Sequence, residues 1–379
     1  MQNVVSIAYT SEELAQMDSA LLTLRELFAR MVKLTPEDRR ELFKMGDKTE
    51  PFSRQTLTVL AANPQIVPPN LGLAEAQADL AAQLAKTDLL TDMVGEFPEL
   101  QGIMGGYYAL NDGLGETVAH AIEDHYKPRF AGDTLPSNTA GVVVALADKL
   151  ETLVGMFGIG NLPTGDKDPF ALRRHALGVI RMLVEKDLPL DVSALVQSAV
   201  PAFGNLITDA SAALVDFMFD RLAGSLREQG YSAQEVDAVL ALKPQRLGDV
   251  AKRLTAVRAF AALPESAALA AANKRISNIL KKTDDVDAHV SEVLLQEAAE
   301  KALFAAMQTV LPQAQSQWQA GDYTASLQSL AALRVPVDAF FEDVMVNAEQ
   351  LDLRLNRLGL LKSLHVAMNR VADLSKLAA

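Results

Sequence analysis

Apolar residues three and four apart, broken by proline and glycine rather than by strand-like alternation, govern what this chain can fold into. Leu14, Met17, Leu21, Leu24 and Phe28 share one helical face behind Thr10 and Glu13, whose spacing is that of a capping box. Thr35-Pro36 announces a second helix, because proline suits the first helical position after a capping residue. The prolines between Asn63 and Leu71 remove donors and read as a connector. Beyond it the pattern predicts helix from Leu73 to about Val94, then a short glycine-interrupted helix within LQGIMGGYYALNDG. Further helices are expected over Glu116 to Tyr126 and Thr139 to Phe157, separated by a loop holding Pro128, Gly132 and Pro136. Asp168-Pro169 is a start signal that predicts an Asp168 cap, Pro169 at the first position, and Arg173 and Arg174 in the second turn. Pro189, Pro201 and Gly230 punctuate further helices. A last bundle is expected from about Pro264 to Ala379, interrupted at Pro312 and Pro336.

Composition supports an all-α reading. Hydrophobic residues make up 49% of the chain but aromatics only 6%, and alanine and leucine dominate where strands want β-branched and aromatic side chains. There is no cysteine, which excludes disulfides, thiolate metal sites and cysteine nucleophiles. No apolar run reaches the length of a membrane span, and MQNVVSIAYTSEEL lacks the regions of a signal peptide; a cytoplasmic protein without a membrane partner is expected. The net charge of −13 argues against sequence-blind affinity for nucleic acid, and no DNA partner is expected. The charge is uneven, however. Between Lys243 and Lys282 stand nine basic residues against Asp249 and Glu265, a local excess that suits a confined RNA contact or, equally simply, a solvated helix face.

Several constellations invite chemistry. Gly158-Ile-Gly160 with Pro163-Thr-Gly165-Asp-Lys167 lacks the phosphate-loop spacing and follows no strand, so it reads as a turn between helices. Arg173 and Arg174 suit either an RNA phosphate or an internal pair with residues such as Asp148 or Glu151. His120, Asp124 and His125 lie on one predicted helix, with the first two at i,i+4. Asn273, Lys274 and Arg275 form a polar cluster opposite Ile276, Ile279 and Leu280. Asparagine and arginine can read unstacked bases while lysine neutralises phosphate. Arg354 and Arg357 can extend that basic face. Phe340 and Phe341 can stack on bases, though phenylalanine in an apolar helical pattern belongs more often to the core.

HYKPRFAGDTLPSNTAGVVVALADKLETLVGMFGIG (His125 to Gly160) and FGIGNLPTGDKDPFALRRHALGVIRML (Phe157 to Leu183) resemble the β subunit of the two-subunit bacterial glycyl-tRNA synthetase. AKTDLLTDMVGEFPELQGIMGGYYA (Ala85 to Ala109), ANKRISNIL (Ala272 to Leu280), and LRVPVDAFFEDVMVNAE with LRLNRLGLL (Leu333 to Leu361) extend the resemblance from about Leu84 to the C-terminus. It implies a multi-domain, all-α chain with an HD-like central domain over 81–260 and an anticodon-binding helical bundle over 261–379. The function implied is recognition of tRNA(Gly), with the ligation catalysed on a separate α subunit. Such a chain would itself be non-catalytic and without cofactor, ATP and magnesium belonging to that α-subunit partner. The tRNA-binding residues implied are Asn273, Lys274, Arg275, Arg354, Arg357, Arg173 and Arg174. HD hydrolases need a His-Asp pair, but Thr87-Asp88 stands at that place and only Asp148 remains as a late acid; a metal-dependent hydrolase using Asp88, His120, Asp124 or Asp148 ranks behind a helical interaction scaffold as alternatives. Residues 1–80, with Leu42, Met45, Phe52, Leu57 and Leu60 as a predicted interior, look instead like a small helical bacterial family of unknown role, and the join falls within a predicted helix.

Overall fold

The computed structural model describes residues 72–283 and 286–378, and every regular element among them is helical. The helices expected after Thr10 and Thr35, the proline-rich connector and the interior around Leu42 to Leu60 lie outside the described residues. The chain divides into two compact units, one ending at Arg221 and including Gln245–Gly248, the other comprising Leu222–Pro244 and Asp249–Ala379. The expected domain limits at 80/81 and 260/261 both fall inside helices, α1 and α10 below.

The first unit contains α1 (Gly72–Leu84), α2 (Asp92–Glu96), α3 (Ile103–Asn111), α4 (Glu116–Asp124), α5 (Thr139–Gly158), α6 (Leu172–Glu185), α7 (Val192–Ala199) and the start of α8 (Ser211–Glu228). Helix α5 is its axis. Asn138 caps it by accepting the Gly141 N–H at 2.8 Å, and sixteen of its twenty residues are buried because α1, α4, α6 and α7 all pack on it. The helix expected to run on to Val94 stops at Leu84, and a 3₁₀ turn over Thr87–Leu90 follows. Asp88 explains the break: its buried carboxylate accepts the backbone N–H groups of Gly102 at 2.6 Å and Gly105 at 3.1 Å, tying this turn to the start of α3. A side chain at Gly105 would meet Ile122 at 2.7 Å, so glycine there lets α3 lie close on α4. Helix α6 begins at Leu172, three residues later than expected. Asp168 still caps it, accepting from Leu172 and Arg173, but Pro169 stays outside and the two arginines fall in the first turn. Ala171 makes the entry with φ 53°, which leaves the first turn to be satisfied from Asp168.

The second unit contains the rest of α8 and α9 (Ala233–Leu240), α10 (Asp249–Ala261), α11 (Ser266–Leu280), α12 (Ala298–Gln319), α13 (Tyr323–Leu330), α14 (Arg334–Asp343) and α15 (Leu351–Met368). Helix α11 packs on α14, α15 and the C-terminal 3₁₀ turn Leu374–Leu377, while α12 packs on α13, α14 and α15. The interruption expected at Pro312 does not occur, whereas a break does stand just before Pro336. Pro312 lies inside the 22-residue α12, where both it and Gln308, whose carbonyl loses its donor, are exposed; Leu303, Met307 and Ala314 hold the opposite face in the core. Pro336 sits in the first turn of α14, where its missing N–H is not needed.

The first unit holds a partly buried charged cluster. Lys86 donates to Asp148 at 2.7 Å and stands 5.1 Å from the centre of the Tyr126 ring. Lys149 donates to the carbonyls of His125 and Tyr126 at 3.2 and 3.3 Å. Burial would raise the Asp148 carboxyl, but Lys86, His125 and Lys149 together hold it well below the usual carboxylate range. Burial, reinforced by the Lys86 ammonium, pushes the His125 imidazole down to about 3, and burial pushes His175 down to about 4. Below its ordinary 6.5, the unfolded chain takes up a proton at His125 that the folded chain refuses until about 3, so stability is lost as pH falls through that window. Urea unfolding at pH 7, 6 and 5 should show this loss growing as pH falls, its slope from His125 alone approaching about 1.4 kcal/mol per pH unit below 6.5. His125→Phe should flatten the slope by about one proton; an unchanged slope would remove His125 from the linkage.

Candidate nucleic-acid interface

Helix α11, SAALAAANKRISNIL, sorts its residues by phase. Leu269, Ala270, Asn273 and Ile276 are buried, while Lys274, Arg275 and Asn278 are exposed, with Lys281 and Lys282 exposed just beyond its end. Cations at a helix C-terminus are favoured by the carbonyl dipoles there. Lys274, Arg275, Asn278 and Lys282 line a groove of about 530 Å³ together with Ala271, Ile279, Thr283 and Asn347. The Arg275 guanidinium carbon lies 4.2 Å from the centre of the Phe341 ring. Phe341 in turn meets the fully buried Phe340 edge-on, with ring centres 5.6 Å apart. Of the two phenylalanines, one is core and the other is a half-buried support for an arginine.

Asn273 points the other way. It is fully buried, and its carboxamide exchanges hydrogen bonds with that of Asn369: Asn273 Nδ2 donates at 2.9 Å and Asn369 Nδ2 returns one at 3.1 Å. Beside it, Ser277 Oγ and His365 Nε2 are bonded at 2.9 Å, and burial holds the His365 imidazole below its ordinary value. Arg357 is also interior. Its Nε pairs with the buried Glu300 carboxylate, and its Nη1 donates to the Met345 carbonyl at 2.8 Å. That second bond fixes the segment after α14, which carries Asn347 to the groove. Arg354, one turn earlier on α15, is half-buried. In the first unit, Arg174 is exposed and Arg173 donates to the Gly165 carbonyl at 2.5 Å, closing the glycine loop onto α6. Asp148, one of the carboxylates considered for these arginines, is taken by Lys86.

The residues weighed for a metal centre are dispersed into separate tasks. His120 is exposed. Asp124 is buried, accepting from Lys127 Nζ at 2.7 Å and from the Ser137 N–H and hydroxyl at 2.6 Å each. These bonds outweigh burial and keep Asp124 below its ordinary pKa. Among the described residues, no three His, Asp or Glu side chains converge as ligands.

Sequence reasoning placed Lys274 and Arg275 on the exposed face and counted Lys282 in the basic segment, but missed Asn278 and Asn347. Asn278 was legible, since it stands three and four residues after that pair; Asn347 arrives through tertiary folding. Truncating Arg357 to alanine would strand Glu300 in the core, and urea unfolding should show a loss of about 3–5 kcal/mol. Pairing Arg357→Met with Glu300→Leu should recover most of it. A small loss in the single variant would show that the pair is not isolated from water.

A family model described as glycyl-tRNA synthetase beta subunit matches residues 39–241, and one described as DALR anticodon binding domain matches residues 269–377. The glycine–tRNA ligase beta subunit of Paracidovorax citrulli is 77% identical over 302 residues, covering 80% of this chain and 43% of that protein. That of Polaromonas naphthalenivorans is 78% identical over 304 residues, with the same coverage, and that of Dechloromonas aromatica is 63% identical over 339 residues, 89% of this chain and 47% of its own. The chain therefore spans less than half the length of these curated relatives. The first match begins at residue 39, so residues 39–80, read as similar to another helical family, lie within it, and the expected join falls within α1. Matched over more than half of its residues, the chain belongs to the glycyl-tRNA synthetase beta-subunit family.

Proposed function

We propose that this chain is the tRNA(Gly)-recognising part of a glycyl-tRNA synthetase β subunit, acting beside an α subunit that holds the glycine-activating site with its ATP and magnesium. The chain then contributes recognition rather than catalysis, in the cytoplasm where tRNA is charged. The observation that carries this reading is the cationic groove on α11, lying in the segment that matches an anticodon-binding domain. Lys274, Arg275 and Lys282 gather there although the chain as a whole carries −13. A confined positive groove binds a nucleic-acid loop without coating the protein in counterions. An unpaired loop such as an anticodon offers both phosphates and free base edges to it. Arg354, close along α15, and the Arg173–Arg174 pair in the first unit are secondary candidates for backbone contact. Asn273 and Arg357 support the interface from within.

Labelled tRNA(Gly) should bind the chain more tightly than the same tRNA with its anticodon cytosines replaced. The Lys274→Ala, Arg275→Ala double variant should bind less tightly, and its salt dependence should be shallower by up to about 0.9 per lost phosphate contact. Equal binding of both RNAs by the parent chain would overturn the anticodon reading. An unaltered slope in the double variant would take these two residues out of the interface.

A further inference from the structure

The five asparagines of the groove and its supports divide into two groups. Asn273 and Asn369 bond each other, and Asn356 exchanges two bonds with the Ser291 backbone. Asn278 and Asn347 are both exposed, both line the groove, and neither has a partner among the described residues. A carboxamide offers an acceptor and donors side by side, the arrangement that matches the edge of a nucleobase. Arg275, whose guanidinium is already over Phe341, lines the same groove. An arginine held on a ring is pre-ordered, and its open face is a flat, cationic surface on which a base can stack. Phe341 cannot easily swing away, because buried Phe340 abuts it edge-on. The residues described along the groove include no acid, and its about 530 Å³ is of the size of a small-ligand cleft.

We propose that Arg275 on Phe341 is a stacking platform for one unpaired nucleobase, that Asn278 and Asn347 read that base's edge, and that Lys274 and Lys282 hold the phosphates on either side. This rests on the RNA-binding reading above and goes beyond it by dividing the groove into residues that see a base and residues that see charge. The division has consequences that a merely electrostatic groove lacks. Arg275→Lys keeps the charge but removes the plane, and alanine at the two asparagines changes no charge at all.

The test compares the full chain with Arg275→Lys and with the Asn278→Ala, Asn347→Ala double variant, all at exposed positions. The probes are tRNA(Gly) and the same tRNA with its anticodon cytosines replaced, each titrated across a range of salt. Arg275→Lys is expected to leave the salt slope unchanged while weakening tRNA(Gly) binding by roughly ten-fold, the scale of one lost stack. The asparagine variant is expected to keep the slope and to bring the affinity ratio of the two RNAs toward unity. A parent chain that prefers tRNA(Gly), with both variants keeping its affinity and ratio, would overturn the platform while leaving RNA recognition standing. A parent chain with no preference would instead overturn the anticodon reading, and the platform with it.

Discussion

The reciprocal carboxamide pair of Asn273 and Asn369 fixes the rotation of α11, and the basic groove depends on that rotation. Each amide satisfies the other, with Asn273 fully buried, so turning the helix by even one position would leave that buried amide unpaired. Leu269 and Ile276, fully buried above and below Asn273, reinforce the same phase. Ser277 and His365 add a second tie one turn on. With this face locked, Lys274, Arg275 and Asn278 have only the outside left to them. Polar specificity in the core thereby becomes geometry at the surface.

The other wall of the groove is set from α15. Glu300 on α12 holds Arg357, and Arg357 holds the Met345 carbonyl, two residues before Asn347. Asn356, the neighbouring residue, clips the backbone at Ser291. Two adjacent polar residues of one helix therefore position two loops. Leucines around them supply the apolar burial that makes such bonds strong. A groove assembled from one helix face and one tethered loop can be firm without being deep, which suits a ligand whose own loop must be partly unstacked to bind.

How far these features were readable follows from periodicity. The Asn138 cap and the long apolar α5 were plain in the sequence, because capping chemistry and a 3.6-residue stripe agreed there. The interior roles of Asn273 and Arg357 went against residue type, since both look like RNA-reading side chains. Their phase nevertheless gave them away: Leu269, Asn273 and Ile276 make one stripe, as do Leu353, Arg357, Leu360 and Leu364. Asp88 shows the opposite limit. That it would end a helix by accepting two amides of Gly102 and Gly105 depends on where α3 comes to rest, which no local pattern specifies. The same holds for Asn347, for Phe341 beneath Arg275, and for the continuity of α12 through Pro312.

Charge and shape have to share the work in a chain this acidic. At physiological salt, screening confines each charge to about 8 Å, so the groove's cations act on a phosphate seated among them, while the surplus acid elsewhere opposes indiscriminate approach. A groove with three cations along its lining cannot rely on attraction alone to hold a polyanion against that background. Contacts that depend on a base being present, a plane to lie on and amide groups at its edge, add affinity without adding charge. They also make it conditional on sequence, because phosphates are the same in every RNA and base edges are not. On the proposed function, an acidic body with a small basic groove would reject most RNA and keep an RNA that presents the right unpaired loop.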